Sequence, residues 1–437
     1  MKYIISILII IIFIPSSNSN EINFKINKPY EVFISKEKLS ENLNFYRDNF
    51  SSFSFCLKNS DDADNDLISI KNLNKKNYIK KVFNKTFTDW DVMDEHADAM
   101  NDFALIVCKV MINGNRNDKI ELLNFIIELS KLENFYSISP EWIEDHSGPY
   151  WYARNLPPFL FAWSFVRDIA NNDQQEYMHE WIKKLYDNLN NDDGCKLMMN
   201  NSCFGNHTYN VTNSLITMSI LLNDNNRFEH SVNRFFTVLN KNITKDGLFL
   251  FELKRQHCSS HYHIHSLNPI FAILQNLKTQ GYDYFNTEIS GNFKISEIID
   301  SIFNKFLIYP KKYLENINGF YATKTCPTKG QEFKYKFEQA DFLQTAQFGF
   351  VSIYKNNISN QNIEFNKIKK LKVYWSTENK NKINNIFEDY NNDGLIDTLE
   401  INEIDASYNI YGNTWGDAVF GGFPFIFYKN EDLDQYQ

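Results

Sequence analysis

From about Trp90 to Phe306, apolar residues recur at helical spacing in runs separated by short loops rich in Asn, Asp and Gly. Met93, Ala97, Met100, Ala104 and Cys108 share one face, and Asn113-Gly114-Asn115 ends that run. Lys119–Leu132 repeats the pattern, and Phe159–Ala170 follows Pro157-Pro158, which suit a first helical turn. Gln174–Leu189 sets Tyr177, Trp181 and Leu185 on one face. Val211–Leu222, Arg227–Asn240, Leu267–Leu277, Ile295–Phe306 and Phe337–Tyr354 continue the series. Many antiparallel helices at near-regular spacing predict a mainly α fold. The expected architecture is an (α/α) toroid or incomplete barrel, whose loops at one end build a cleft. No repeating signature of a helical solenoid is present.

The flanks read differently. Residues 21–60 look irregular with some strand character, and Asp61–Asp66 reads as an acidic surface loop. Lys2, the apolar run Ile4–Ile14, Pro15 and Ser17-Asn18-Ser19 have the layout of a secretory signal. The run falls short of the roughly 20 residues that span a bilayer. The expectation is a periplasmic or secreted protein with no membrane segment after cleavage. Six cysteines, Cys56, Cys108, Cys195, Cys203, Cys258 and Cys326, then permit disulfides. Cys195 with Cys203 is the first local pairing to consider, and Cys56 with Cys108 the second. Beyond about Lys370 a strand-like LKVYW and a Gly- and aromatic-rich tail predict a small C-terminal extension of β or irregular character. The domain plan is therefore a signal peptide at 1–19, a toroid at 20–370 and an extension at 371–437. Within the extension, Asp389, Asn391, Asp393, Leu395, Asp397 and Glu400 occupy the ligand positions of a twelve-residue calcium loop, with Gly394 at its sixth position. This predicts a structural Ca2+ site.

The chemistry concentrates in two stretches. The chain carries a net charge of −9, which argues against general nucleic-acid binding. Yet Arg255, Tyr262 and four of the nine histidines, His257, His261, His263 and His265, crowd into eleven residues. Such a local cluster in an acidic chain suits an anion or a proton transfer. Arg255 can grip a carboxylate as a bidentate fork. A phenol such as Tyr262 near a fixed cation has its pKa drawn down from about 10. Read as an extended segment, His261, His263 and His265 would share a face, so an H-x-H-x-H metal site competes with this reading. The second stretch is Gly205-Asn206-His207-Thr208-Tyr209-Asn210, at the start of a helix. Free N–H groups there favour anions, and His207 can serve as base or neutraliser.

NHTY, ELKRQHCSSHYHIHSLNP and RNLPPFLFAW together resemble the alginate lyase family of α/α toroid enzymes, polysaccharide lyase family 5. The resemblance covers roughly residues 80–320. It implies β-elimination on a uronate-containing polymer, alginate and its mannuronate blocks first among them. By that resemblance Asn206 and Arg255 neutralise the uronate carboxylate. Tyr262 is the acid to the glycosidic oxygen, and His207 is base or neutraliser according to substrate stereochemistry. Trp151, Tyr152, Arg154, Tyr209 and His261 become substrate-binding candidates. No metal or organic cofactor is implied for catalysis, and the partner is an anionic polysaccharide. Gly205 stands where the family usually has Asn, Asn210 where it has an aromatic, and Gln256 where it has Gly.

Two other readings use the same cleft. A glycoside hydrolase would need two opposed carboxylates, drawn from Glu141, Glu144, Asp145 and Glu252. A non-catalytic glycan-binding relative would keep the cleft without turnover.

Overall fold

The computed structural model describes residues 23–49, 72–144, 147–192, 205–253, 259–282, 284, 288–289 and 293–303. The signal-like segment, Arg255, the calcium loop, the 371–437 extension and the Phe337–Tyr354 run lie outside them. Helices dominate. They are α1 (Lys36–Asn49), α2 (Leu73–Phe83), α3 (Trp90–Asn113), α4 (Arg116–Ser130), α5 (Pro140–Glu144), α6 (Ser147–Asn155), α7 (Pro157–Val166) and α8 (Asn172–Asp192). After them come α9 (Asn206–Leu222), α10 (Asn225–Asn242), α11 (Leu250–Leu253), α12 (Ser259–Thr279) and α13 (Ile295–Phe303). Glu288–Ile289 pairs antiparallel with Phe293–Lys294 in a two-residue ladder.

Local chemistry sets the helix ends. Asp89 caps α3 by accepting from the Val92 N–H, and Gly114 closes it at φ 62°. The Arg47 guanidinium donates to the Ile112 and Met111 carbonyls at 2.7 and 2.9 Å. It thereby satisfies C-terminal acceptors that the helix cannot. α7 starts on Pro157 as expected. One element departs from expectation: α1 is helical where an irregular segment was expected. Residues 250–253 form a short helix after an isolated antiparallel bridge from Ile243 to Phe249.

α9 is the central helix, packed against α6, α7, α8, α10 and α12. Every residue of it except His207 is buried, and several of its polar side chains bond to backbone within the fold. Thr212, Thr217 and Ser219 donate to the carbonyls of Thr208, Asn213 and Leu215 one turn back. Ser214 reaches the Ala153 carbonyl of α6 at 2.6 Å. The early chain then meets the late chain. Gln280 accepts from the Asn27 and Lys28 N–H groups, and donates to the Lys28 and Glu31 carbonyls. Asn276 accepts from the Phe33 N–H at 2.7 Å. These bonds tie the segment before α1 to the end of α12. Phe33, left-handed at φ 60°, is held in that conformation by the same contact.

Cys108 is buried in α3 and disulfide-bonded. Every other cysteine lies outside the described residues, so its partner does too. Among the described residues no helix is long and apolar enough to cross a membrane.

His96 lies between the rings of Phe83 and Phe87, with centroids at 5.7 and 4.2 Å. Burial pushes its pKa down to about 4, against the upward pull of its bond to the Lys85 carbonyl. The folded protein thus holds His96 neutral, whereas the unfolded chain protonates it below about 6.5. Stability from this group is complete above pH 6.5 and is lost as pH falls towards 4, by about 3 kcal/mol in total. Denaturant titrations between pH 7 and 4 should show that slope, and His96→Phe should flatten it.

Candidate active site

Glu252, in α11, is fully buried, and its Oε1 is where the two candidate stretches meet. It accepts from the Asn206 backbone N–H at 2.8 Å and from the Ser266 hydroxyl at 2.8 Å. The first bond holds the N-terminus of α9 and the second holds α12. Gly205 caps α9 with no side-chain bond of its own. Glu252 supplies that acceptor from across the fold, placing a carboxylate where the helix dipole favours one.

Asn206 is 1 % exposed, and among the described residues neither its Oδ1 nor its Nδ2 has a hydrogen-bond partner. An amide orphaned in this way is costly, and in native proteins such a group calls for a ligand or water. Next to it, His207 is half-buried and lies flat on the Tyr150 ring, with centroids 3.9 Å apart and planes 2° apart. The Tyr150 hydroxyl accepts from Arg154 Nη1 at 2.9 Å, and the Arg154 guanidinium lies 5.1 Å from the Trp151 ring centroid. α6 therefore provides a wall of Tyr150, Trp151 and Arg154 against the start of α9.

The histidine-rich stretch is helical from Ser259 onward, not extended. This corrects the shared-face argument for His261, His263 and His265, because residues two apart on a helix point in different directions. His263 is buried in the core, where its Nε2 accepts from the Phe249 N–H at 3.1 Å. Among the described residues no group of three His, Cys, Asp or Glu is arranged to hold a metal. Tyr262 is half-buried in the first turn of α12, with its ring 6.0 Å from that of His265. It precedes Ser266 by four residues, so both stand on the face that meets Glu252 and α9. His261 lies in the same turn.

Of the other binding candidates, Tyr209 is fully buried and accepts from Asn242 Nδ2 at 3.1 Å. Burial holds its phenol far above the usual range. Tyr152 is packed edge-on to Tyr136, with centroids 4.0 Å apart. Both residues therefore belong to the core. Trp151 and Arg154 are also buried, and the solvent-facing ring beside them is Trp90, 57 % exposed and edge-on to Trp142 and Trp151. Sequence reasoning passed over Trp90 and Tyr150. Tyr150 had a signal, since it stands four residues before Arg154 on one helix face.

A polar cavity of about 470 Å3 is lined by His179, Lys183, Asp224 and Arg227. It lies at the far end of α9, about 24 Å along the helix axis from Asn206, and is separate from this site.

The alginate lyase family model matches residues 162–310, a span holding Asn206, His207, Glu252 and Tyr262. The match covers that segment and not the rest of the chain, and it supports a polysaccharide lyase. A histidine-to-alanine variant of alginate lyase A1-III complexed with a tetrasaccharide superposes at a TM-score of 0.55 and 14 % identity, covering 77 % of this chain and 91 % of that one. A tyrosine-to-phenylalanine variant, also complexed with a tetrasaccharide, gives 0.55 and 14 %, with 76 % and 89 % covered. Alginate lyase A1-III from Sphingomonas species A1 gives 0.51 and 14 %, with 75 % and 90 % covered. At that identity the likeness is one of fold, the α/α toroid. Among curated proteins none matches.

Proposed function

We propose that the protein is an exported lyase that cuts a uronate-containing polysaccharide, polymannuronate-like, by β-elimination. The orphaned Asn206 amide carries this reading. Among the described residues it is a buried hydrogen-bonding group with no partner, at a helix N-terminus, beside a half-buried imidazole. A uronate carboxylate is the kind of group that could satisfy it.

In the proposed reaction Asn206 and Arg255 bind the carboxylate and stabilise the charge that spreads onto it as the C5 proton leaves. Electrons from that C–H bond form the C4–C5 double bond, and the C4–O bond breaks. Tyr262 protonates the departing glycosidic oxygen. His207 or Tyr262 takes the C5 proton, depending on which face of the sugar carries it. Every proton and electron pair is accounted for without a metal or redox group. The disulfide at Cys108 supports an oxidising compartment, as the signal-like N-terminus does.

The hydrolase reading is less well served by the available carboxylates. Glu252 is enclosed and already accepts two hydrogen bonds. Glu141 is fully exposed, and hydrogen bonds from its own backbone N–H and Ser139 lower its pKa. A general acid needs the opposite shift. Incubation with polymannuronate, polyguluronate and other uronate polymers tests the proposal. Growth of the ultraviolet absorbance of a C=C–carboxylate is expected, strongest on mannuronate. New reducing ends without that absorbance would overturn it.

A further inference from the structure

The geometry points to Glu252 as a positioning residue for this reaction, the carboxylate that sets the start of α9 against α12. The inference rests on the lyase reading of the same site. One oxygen, Oε1, accepts from both the Asn206 N–H and the Ser266 hydroxyl. Asn206 and His207 open α9, and Tyr262 stands one turn before Ser266. One buried atom therefore bonds both to the helix start that carries the amide and imidazole and to the helix that carries the phenol.

The site is shaped for this contact. A Cβ on residue 205 would come within 2.7 Å of Glu252 Oε1. A side chain there would make the carboxylate shift from its present approach to the helix end. Asn210, one turn along α9, donates its amide to the Asn206 carbonyl at 3.0 Å, so Asn206 is gripped on its N–H by Glu252 and on its C=O by Asn210. Its backbone is fixed while its side-chain amide has no partner among the described residues. Such an arrangement preorganises a group for a ligand.

Three roles for Glu252 make different forecasts. A positioning carboxylate needs an oxygen acceptor in the right place, which the amide oxygen of glutamine can provide. A carboxylate that itself transfers a proton cannot be replaced by glutamine. A residue that only supports the fold lowers stability without changing turnover of the folded enzyme.

The experiment measures kcat, KM and melting temperature on an oligomannuronate for full-length wild type, Glu252→Ala, Glu252→Gln and Gly205→Ala. Expected for Glu252→Ala is a kcat loss of about 10²-fold, the scale of a displacement near 1 Å, with KM within about threefold because ground-state contacts remain. Glu252→Gln should recover most of that loss. Gly205→Ala keeps every hydrogen-bonding group and displaces the carboxylate, and should lose about tenfold in kcat. It serves as the decisive variant if Glu252→Ala does not fold. Equal inactivity of the Gln and Ala variants would overturn the inference in favour of direct catalysis. Unchanged kcat in folded Gly205→Ala would overturn it outright. Inactive wild type would count instead against the lyase reading.

Discussion

Tyr262→Phe is expected to lower kcat by about 10³-fold while leaving oligosaccharide affinity within about threefold, the range set by loss of one general acid. The variant removes one oxygen from a half-buried ring. The ring contact with His265 survives. In the proposed mechanism only proton transfer by the phenol is lost, and that transfer occurs in the transition state rather than in the bound complex. Steady-state kinetics together with calorimetric binding separates the two quantities. A variant that turns over at near the wild-type rate would remove Tyr262 from the mechanism.

The second large effect combines loss of activity with a gain in stability. Asn206→Ala is expected to lower kcat by 10²- to 10³-fold, roughly the cost of deleting one donor that stabilises a developing anion. Its melting temperature should hold or rise. The side chain removed is buried and, among the described residues, has neither amide atom bonded. An unsatisfied buried amide costs about 1–3 kcal/mol, whereas alanine favours a first helical turn. The helix keeps its external bond, because Glu252 accepts from the Asn206 backbone and not from its side chain. Opposite movement of activity and stability marks a group retained for function. A fall in both would make Asn206 a structural residue.

The sequence disclosed those elements whose buried faces are apolar. α3 was legible because its apolar spacing ends at Gly114, and α8 because Tyr177, Trp181 and Leu185 share a face. It put the start of α9 near Asn206 without its first turn, and it concealed the start of α12; these two starts carry the candidate site. NHTYNVTNS and SSHYHIHS have little hydrophobic periodicity because their inward faces are polar. Hydrogen bonds to Glu252, Ala153 and the Phe249 N–H hold those faces in place. Each bond spans at least fourteen residues of chain, so no local window contains both partners. α1 was missed for a related reason. Its sequence is largely polar, and Leu39 and Leu43 are buried only by tertiary contact.

The site was legible by residue type more than by role. Asn206, His207 and Tyr262 fall on elements joined through Glu252. Tyr152 and Tyr209 resemble sugar-stacking aromatics in sequence, yet they lie in the core. Glu252 appeared first as a possible hydrolytic acid. Its buried bonds to two helices give it a different part, and only the fold brings those helices together.

The mass of the products tests the central claim most directly. A defined oligomannuronate is cut once, and the two fragments are weighed. Elimination adds nothing, so the fragment masses should sum to that of the uncut chain, with the unsaturated bond on the fragment that carries the new non-reducing end. Fragments that together exceed the substrate by one water, with no unsaturation, would contradict the account.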